Sequence, residues 1–503
     1  MISASAGAVR PSYDQQAMSH HRQIILCLCG LLWAGVPATA QTDEVLDQLN
    51  SNDTVKGTEQ SKSYRTLFDA YLDLSPPPAE VGPRFDLNTI SPTMPNWASV
   101  SDWAESNPEM AEAILGCIAT NIIGLPYGID QVESNYREAG LVAAVGVQGS
   151  LHATDFPYLH AMDVIGAYAT AEVYRRFEAR DAQAALDLSV AYLWVLRQLC
   201  DRQFLQEKLV GVQLLIDALA NVRDTFYRYQ GEGGITAEQF RQLAWYDLPQ
   251  LRPDRNRLHI PEGDRLIAQA LLEEVFDART DQADPEKFAD AFAAIQSADA
   301  PLTRFGAARR WRMIAMVHGS LEASTDRLKL IYDDWWRRWR VQEYDAILAT
   351  KTQFERTNPV RYAAVIYSMQ DIEDVFTIRN QLIASVNGTA VAAGLCAYRT
   401  TFGVFPDDKK QAYGQFIRKR ISDVDPYDED FGRLGYRRLG RSGSIDTLYG
   451  RLQVDAGQCL LYSRGPDHQN DRGARHSLVG AEGSDYVLWP PMKALARELG
   501  KIQ

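Results

Sequence analysis

The chain has 503 residues, a formal net charge of −13, 46% hydrophobic and 23% charged residues, and six cysteines. That length suits two or three domains, and that composition suits a globular fold. The acidic balance argues against a protein that wraps nucleic acid, because such affinity comes from Lys and Arg neutralising phosphates. The first forty residues read as a secretory leader. His20-His21-Arg22 is a basic start, residues 24–36 are an apolar run, and Ala38-Thr39-Ala40 has the small-x-small form of a cleavage site before Gln41. The run, about 13 residues, is too short to cross a bilayer comfortably. Cleavage would remove Arg10 and Arg22 against Asp14 and leave a net charge of −14. Met18 offers a second start. No later stretch approaches 18 consecutive apolar residues, so the mature chain is expected to be exported to the periplasm or the cell exterior without stable membrane insertion.

Residues 41–100 read as a polar segment, a short helix and a Pro-rich connector. Tyr64, Leu67, Phe68, Tyr71 and Leu72 give a helical stripe, and Pro76-Pro77-Pro78 ends it. Residues 101–357 are expected to form an α-helical domain. Ser101-Asp102 reads as the cap of its first helix. Leu186, Val190, Leu193, Leu196 and Cys200 make one buried stripe, and Leu205, Leu209, Val212, Ile216 and Leu219 the next. Gly231, Gly233 and Gly234 stop that run, and Thr236 with Gln239 predicts a capping box for a new helix. Helices of this length with short connections predict an array of antiparallel pairs.

Residues 358–503 change character. A helix over roughly 372–402 carries Leu382, Val386, Ala390, Ala393 and Ala397 along one side, a stripe suited to lying on a sheet. Short aromatic segments then predict strands at Tyr436-Arg437-Arg438-Leu439, Cys459-Leu460-Leu461-Tyr462-Ser463 and Tyr486-Val487-Leu488-Trp489. The fold class expected is mainly α: a helical array followed by a small C-terminal α+β domain, a long helix plus an antiparallel sheet.

The C-terminal part carries a recognisable order. A helix from about Arg379 leads to Tyr398-Arg399, Phe405-Pro406 and Asp425-Pro426-Tyr427. Leu461-Tyr462-Ser463-Arg464-Gly465-Pro466-Asp467 follows, then Asp485-Tyr486-Val487-Leu488-Trp489. This order resembles the globular head of type II secretion pseudopilins of the major, G type, without a pilin's N-terminal apolar spine. The whole chain is similar to large exported proteins of unknown function typical of planctomycetes, which place a helical region ahead of such a tail. The resemblance implies a binding or scaffold module. It also implies a calcium site after the Leu-Tyr-Ser strand, since a hard cation needs several carboxylate and carbonyl oxygens. The matching carboxylates are Asp467, Asp471 and Asp485. His468-Gln469-Asn470 and Arg472 depart from the acid-rich loop of the family, and Asx turns are the alternative use of these side chains.

Four cysteines remain after cleavage, Cys117, Cys200, Cys396 and Cys459, which allow three pairings in an exported protein. Cys396 with Cys459 is preferred because both fall in the C-terminal part; buried free thiols are the alternative. His152, Asp155, His160 and Asp163 are close in sequence and could hold zinc, but Pro157 interrupts them, no HExxH-type core is present, and a hydrogen-bonded helix start is the preferred reading. Trp335, Trp336 and Trp339 among Arg337, Arg338 and Arg340 could stack on sugars or bases, or act as core anchors beside a solvated Arg face. Arg309, Arg310 and Arg312 around Trp311 repeat that choice. No nucleophile elbow, P-loop or dinucleotide fingerprint is present, and no catalytic or cofactor-binding residue is singled out. The expectation is an exported non-enzymatic scaffold or interaction protein with protein or cell-envelope partners. The alternative is a periplasmic hydrolase with its cleft between the helical domain and the C-terminal cap.

Overall fold

The computed structural model describes residues 40–81, 89–146, 153–252, 258–296, 304–341, 345–369, 371–418, 423–428, 430, 432–476 and 485–502. Within them the helices are α1 (Ala40–Asn50), α2 (Tyr64–Asp73), α3 (Trp97–Glu105), α4 (Pro108–Gly116), α5 (Ser134–Glu138), α6 (Tyr158–Glu178), α7 (Ala182–Leu199) and α8 (Leu205–Tyr229). They continue with α9 (Ala237–Gln242), α10 (Gly263–Val275), α11 (Pro285–Gln296), α12 (Arg304–Ala315), α13 (Leu321–Arg340), α14 (Ala363–Ser368), α15 (Glu373–Phe402) and α16 (Met492–Glu498). The strands are two short pairs, β1 (Ala144–Val145) with β2 (Thr154–Asp155) and β3 (Phe276–Asp277) with β4 (Gln282–Ala283), then β5 (Gly435–Arg438), β6 (Gly443–Thr447), β7 (Gly450–Val454), β8 (Cys459–Ser463) and β9 (Tyr486–Trp489). The chain is therefore mainly α with a C-terminal α+β part. None of the described helices is long and apolar enough to cross a membrane.

Local chemistry sets the helix ends. Asp181 caps α7 by accepting the Ala184 N–H at 3.1 Å, and Ser320 caps α13 by accepting that of Ala323 at 3.2 Å. Thr236 and Gln239 form the expected capping box of α9. Two expectations are corrected. Residues 41–60 are not a purely polar segment: Val45 and Leu49, one turn apart, are buried in α1, which packs on α10. Ser101 and Asp102 lie inside α3 rather than at its start; the chain breaks instead at Asn107, where Pro108 opens α4 because it has no N–H to donate.

Helices α6, α7 and α8 pack in sequence, and α15 lies along α8. From Gln381 to Ala397 every side chain of α15 except that of Ile383 is buried. The predicted small-residue side is one part of a helix that is covered all round. Close approach needs glycine twice. A Cβ on Gly388 would meet Leu488 Cδ1 of β9 at 2.3 Å, and one on Gly394 would meet Ile417 Cγ1 at 2.3 Å and the Phe416 carbonyl at 2.9 Å. Strands β5, β8 and β9 form an antiparallel sheet in the order β5-β8-β9, with the register shifted between Leu461 and Tyr462 on the β9 side. The β6–β7 hairpin stands beside it and covers a small apolar cluster with α16. One continuous apolar core runs from Val45 to Trp489, so the long helix of the C-terminal part is also an inner helix of the helical array.

The head of α8 is the most demanding point in this core. Glu207 and Arg202 are both fully buried and paired at 2.8 Å. Tyr127 and Tyr158 donate hydroxyl hydrogen bonds to the two Glu207 oxygens at 2.7 and 2.5 Å, and Arg202 donates to the Leu125 carbonyl at 2.6 Å while lying over the Tyr127 ring. Asp264 accepts the Leu205 N–H at 2.8 Å; burial, reinforced by the Glu207 charge, pushes its carboxyl up to about 7 against the pull of that bond. Burial likewise pulls Lys208, which donates to the Cys200 carbonyl, down to about 8.

Two outcomes follow from this cluster. Glu207→Ala strands the Arg202 guanidinium and is expected to cost about 3–5 kcal/mol in chemical denaturation, whereas Glu59→Ala, which removes an exposed partner of Lys62 and Arg65, costs less than about 1 kcal/mol. The folded Asp264 acid lies above its unfolded value, so its contribution to stability is full below about pH 4 and lost as pH rises toward 7. Asp264→Asn keeps the acceptor for Leu205 and removes the charge. It is expected to leave the melting temperature unchanged near pH 4 and to raise stability by up to about 4 kcal/mol at pH 8, read by melting curves across that range.

Candidate functional site

The C-terminal motif residues meet in one place. Asp425 accepts hydrogen bonds from Ser463 Oγ at 2.6 Å, Arg464 N at 2.9 Å and Tyr427 N at 3.1 Å, so it ties its own turn to the end of β8. Asp428 pairs with Arg464 at 2.6 Å. In the following loop Asp467 accepts the Gln469 N–H and Asn470 that of Arg472, both Asx turns. Asp485, fully buried at the start of β9, accepts the N–H groups of Asp471 and Gly473 on its two oxygens. Burial, aided by the charges of Asp471 and Asp467, pushes the Asp485 acid up to about 7. The three carboxylates expected for calcium thus lie around one loop, and those of Asp467 and Asp485 accept backbone N–H groups. Among the described residues no group of three or more His, Cys, Asp or Glu side chains is placed to hold a metal ion.

The junction between helical array and sheet is filled. Arg223 of α8 donates to Thr389 Oγ1 at 2.6 Å and to Ser385 Oγ at 3.1 Å on α15. Asp224 pairs with Arg497 of α16 at 3.2 Å, and the Tyr227 ring packs on Trp489. His476 accepts the Val487 N–H on Nδ1 at 3.0 Å; burial and the nearby Arg223 charge hold it neutral, down to about 3. Cys396 on α15 and Cys459 on β8, the expected disulfide pair, are buried neighbours. They are free thiols here, as are Cys117 and Cys200, and burial pushes all four up.

The remaining sequence clusters separate. His152 lies outside the described residues. Asp155 is exposed on β2 and His160 is exposed in the first turn of α6, while Asp163 one turn later is half-buried. Burial, with the charge of Asp217 on α8, raises Asp163 to about 7. Trp311 is a core residue with Arg309, Arg310 and Arg312 exposed around it, and Arg312 pairs with Glu286. Trp335 and Trp339 are core anchors; Trp339 donates to the Leu258 carbonyl at 2.7 Å. Arg338 is buried against Asp334 and the Thr350 carbonyl.

Trp336 has a different place. It lines a cavity of about 320 Å³ between α10 and α13, within the size range of small-molecule sites. On α13 the wall is a helical stripe of Thr325, Leu328, Lys329, Tyr332, Asp333 and Trp336, and opposite stand Glu262, Arg265 and Gln269. Glu262 organises the mouth: it accepts the Trp336 indole N–H at 2.8 Å and the Arg265 Nε–H at 2.6 Å. Arg340 lies over the Trp336 ring at 4.9 Å. Tyr332 is buried, and its hydroxyl has no hydrogen-bond partner among the described residues. Burial, with the Asp264 and Glu262 charges, holds that hydroxyl well above the ordinary tyrosine range, so it is a neutral donor. Sequence reasoning singled out Trp336 but not Tyr332, Glu262 or Arg265. The signal that could have found the wall was the spacing 325, 328, 329, 332, 333, 336, which puts polar groups and an indole on one helix face.

No family model matches the chain, and no curated protein and no solved structure matches it.

Proposed function

We propose that the protein is an exported, non-enzymatic scaffold or interaction protein of the cell envelope, a helical body that ends in a pseudopilin-like head. The observation that carries this reading is the filled seam between α8, α15 and the C-terminal sheet. A hydrolase working between body and cap needs an open cleft there with a free acid and a free base. Apolar packing and the Arg223 and Asp224–Arg497 bonds occupy that position instead. The carboxylates of the cap also serve as structural acceptors, Asp425 toward three donors and Asp485 toward two. A rigid cap joined to a helical body suits a protein that works by surface contact.

Export and chemistry are separable by experiment. Residues 1–60 fused to leaderless alkaline phosphatase are expected to give periplasmic activity, with the mature chain beginning at Gln41 by mass; an inactive fusion sinks the export half. Purified protein is expected to show no turnover on chromogenic ester, phosphate, peptide and glycoside panels. Turnover that is lost in Asp163→Asn, Asp264→Asn or Asp485→Asn would overturn the non-enzymatic half.

Calcium at the Asp467, Asp471 and Asp485 loop is a second part of the proposal, supported by the gathering of three carboxylates around one loop. Added calcium is then expected to raise the melting temperature, EGTA to reverse the rise, and Asp485→Asn to abolish the response. No shift, with no metal by elemental analysis, removes the ion from the account.

A further inference from the structure

We infer that the cavity between α10 and α13 binds a neutral, polyhydroxylated ligand of the saccharide class. The site belongs wholly to the helical body, so it is independent of export and of the C-terminal module. Its first support is charge balance. Arg265 and Lys329 face Glu262 and Asp333, two cations against two anions, so the lining offers no net attraction to an ion but presents strong donors and acceptors side by side. Each hydroxyl of a sugar both donates and accepts, and such paired groups match it. Its second support is the indole. Trp336 is half-buried and fixed by its N–H bond to Glu262, a preorganised apolar wall for the C–H face of a sugar ring.

The third support is preorganisation. Glu262 pins both Trp336 and Arg265 before any ligand arrives, which lowers the ordering cost of binding. The Asp264 acid behind Tyr332 serves Leu205 and is not needed in the ligand's contacts.

The test uses the full mature chain and isothermal titration with N-acetylglucosamine, N,N′-diacetylchitobiose, maltose and cellobiose. Glucuronate, glucosamine and adenosine serve as comparators. At least one neutral saccharide is expected to bind, and to bind at least tenfold tighter than the charged sugars and the nucleoside. Trp336→Ala is expected to weaken it more than tenfold, and Trp336→Phe, which keeps an aromatic wall, to recover part of that loss. The proposal fails if no neutral saccharide binds, if a charged sugar or adenosine binds more tightly, or if Trp336→Ala binds as the parent does.

Discussion

Helix α15 has to be covered on every side, and the architecture is organised around that requirement. An inner helix this apolar is unstable in water, and the removal of its apolar surface from solvent is the main force holding it in place. Helix α8 takes one side, the β8–β9 face of the sheet another, and α9 with the turns after it a third. Gly388 and Gly394 remove side chains where Leu488 and the Phe416–Ile417 backbone come closest. The C-terminal α+β part therefore shares its central helix with the helical array.

Helix α8 joins this centre to the rest. Its C-terminal half holds α15 through Arg223 and α16 through Asp224, and its first turn is held by Glu207, Arg202 and two tyrosines. A buried ion pair contributes little net stability against apolar replacements, since desolvation offsets the attraction. Its effect is to make misplacement costly. A shift of α8 by one turn would leave Arg202 and Glu207 buried without partners, so the cluster fixes register. The same low-dielectric surroundings push the Asp264 acid up to about 7 and pull Lys208 down to about 8.

Polar groups in the two halves are used differently. In the C-terminal loops, Asp425, Asp467 and Asp485 accept backbone N–H groups and stabilise turns. Between α10 and α13, Glu262 aligns an indole and a guanidinium beside a cavity. The first arrangement is closed on itself. The second sets charged and polar side chains around a space large enough for a ligand.

Much of the fold was legible because it follows local rules. The stripes of α2, α7, α8 and α15, the Thr236 capping box and the strands β5, β8 and β9 each rest on periodicity or end chemistry within a few residues. Failures came where a signal was short or shared: the Val45–Leu49 stripe of α1, the start of α3, and the β6–β7 hairpin with its exposed polar positions. The loop carboxylates were legible as a group, but whether Asp485 would face an ion or two backbone N–H groups depends on how residues 471–473 fold back. The cavity was not legible. Glu262 and Trp336 are 74 positions apart, Tyr127 and Glu207 are 80 apart, and Arg223 and Thr389 are 166 apart. The sequence by itself determined which segments are helix or strand and which faces are apolar, because those depend on neighbours along the chain. Only the tertiary structure decided which helices share a core, which buried charges find partners and which side chains line the cavity, because those are distances between residues that the chain order leaves far apart.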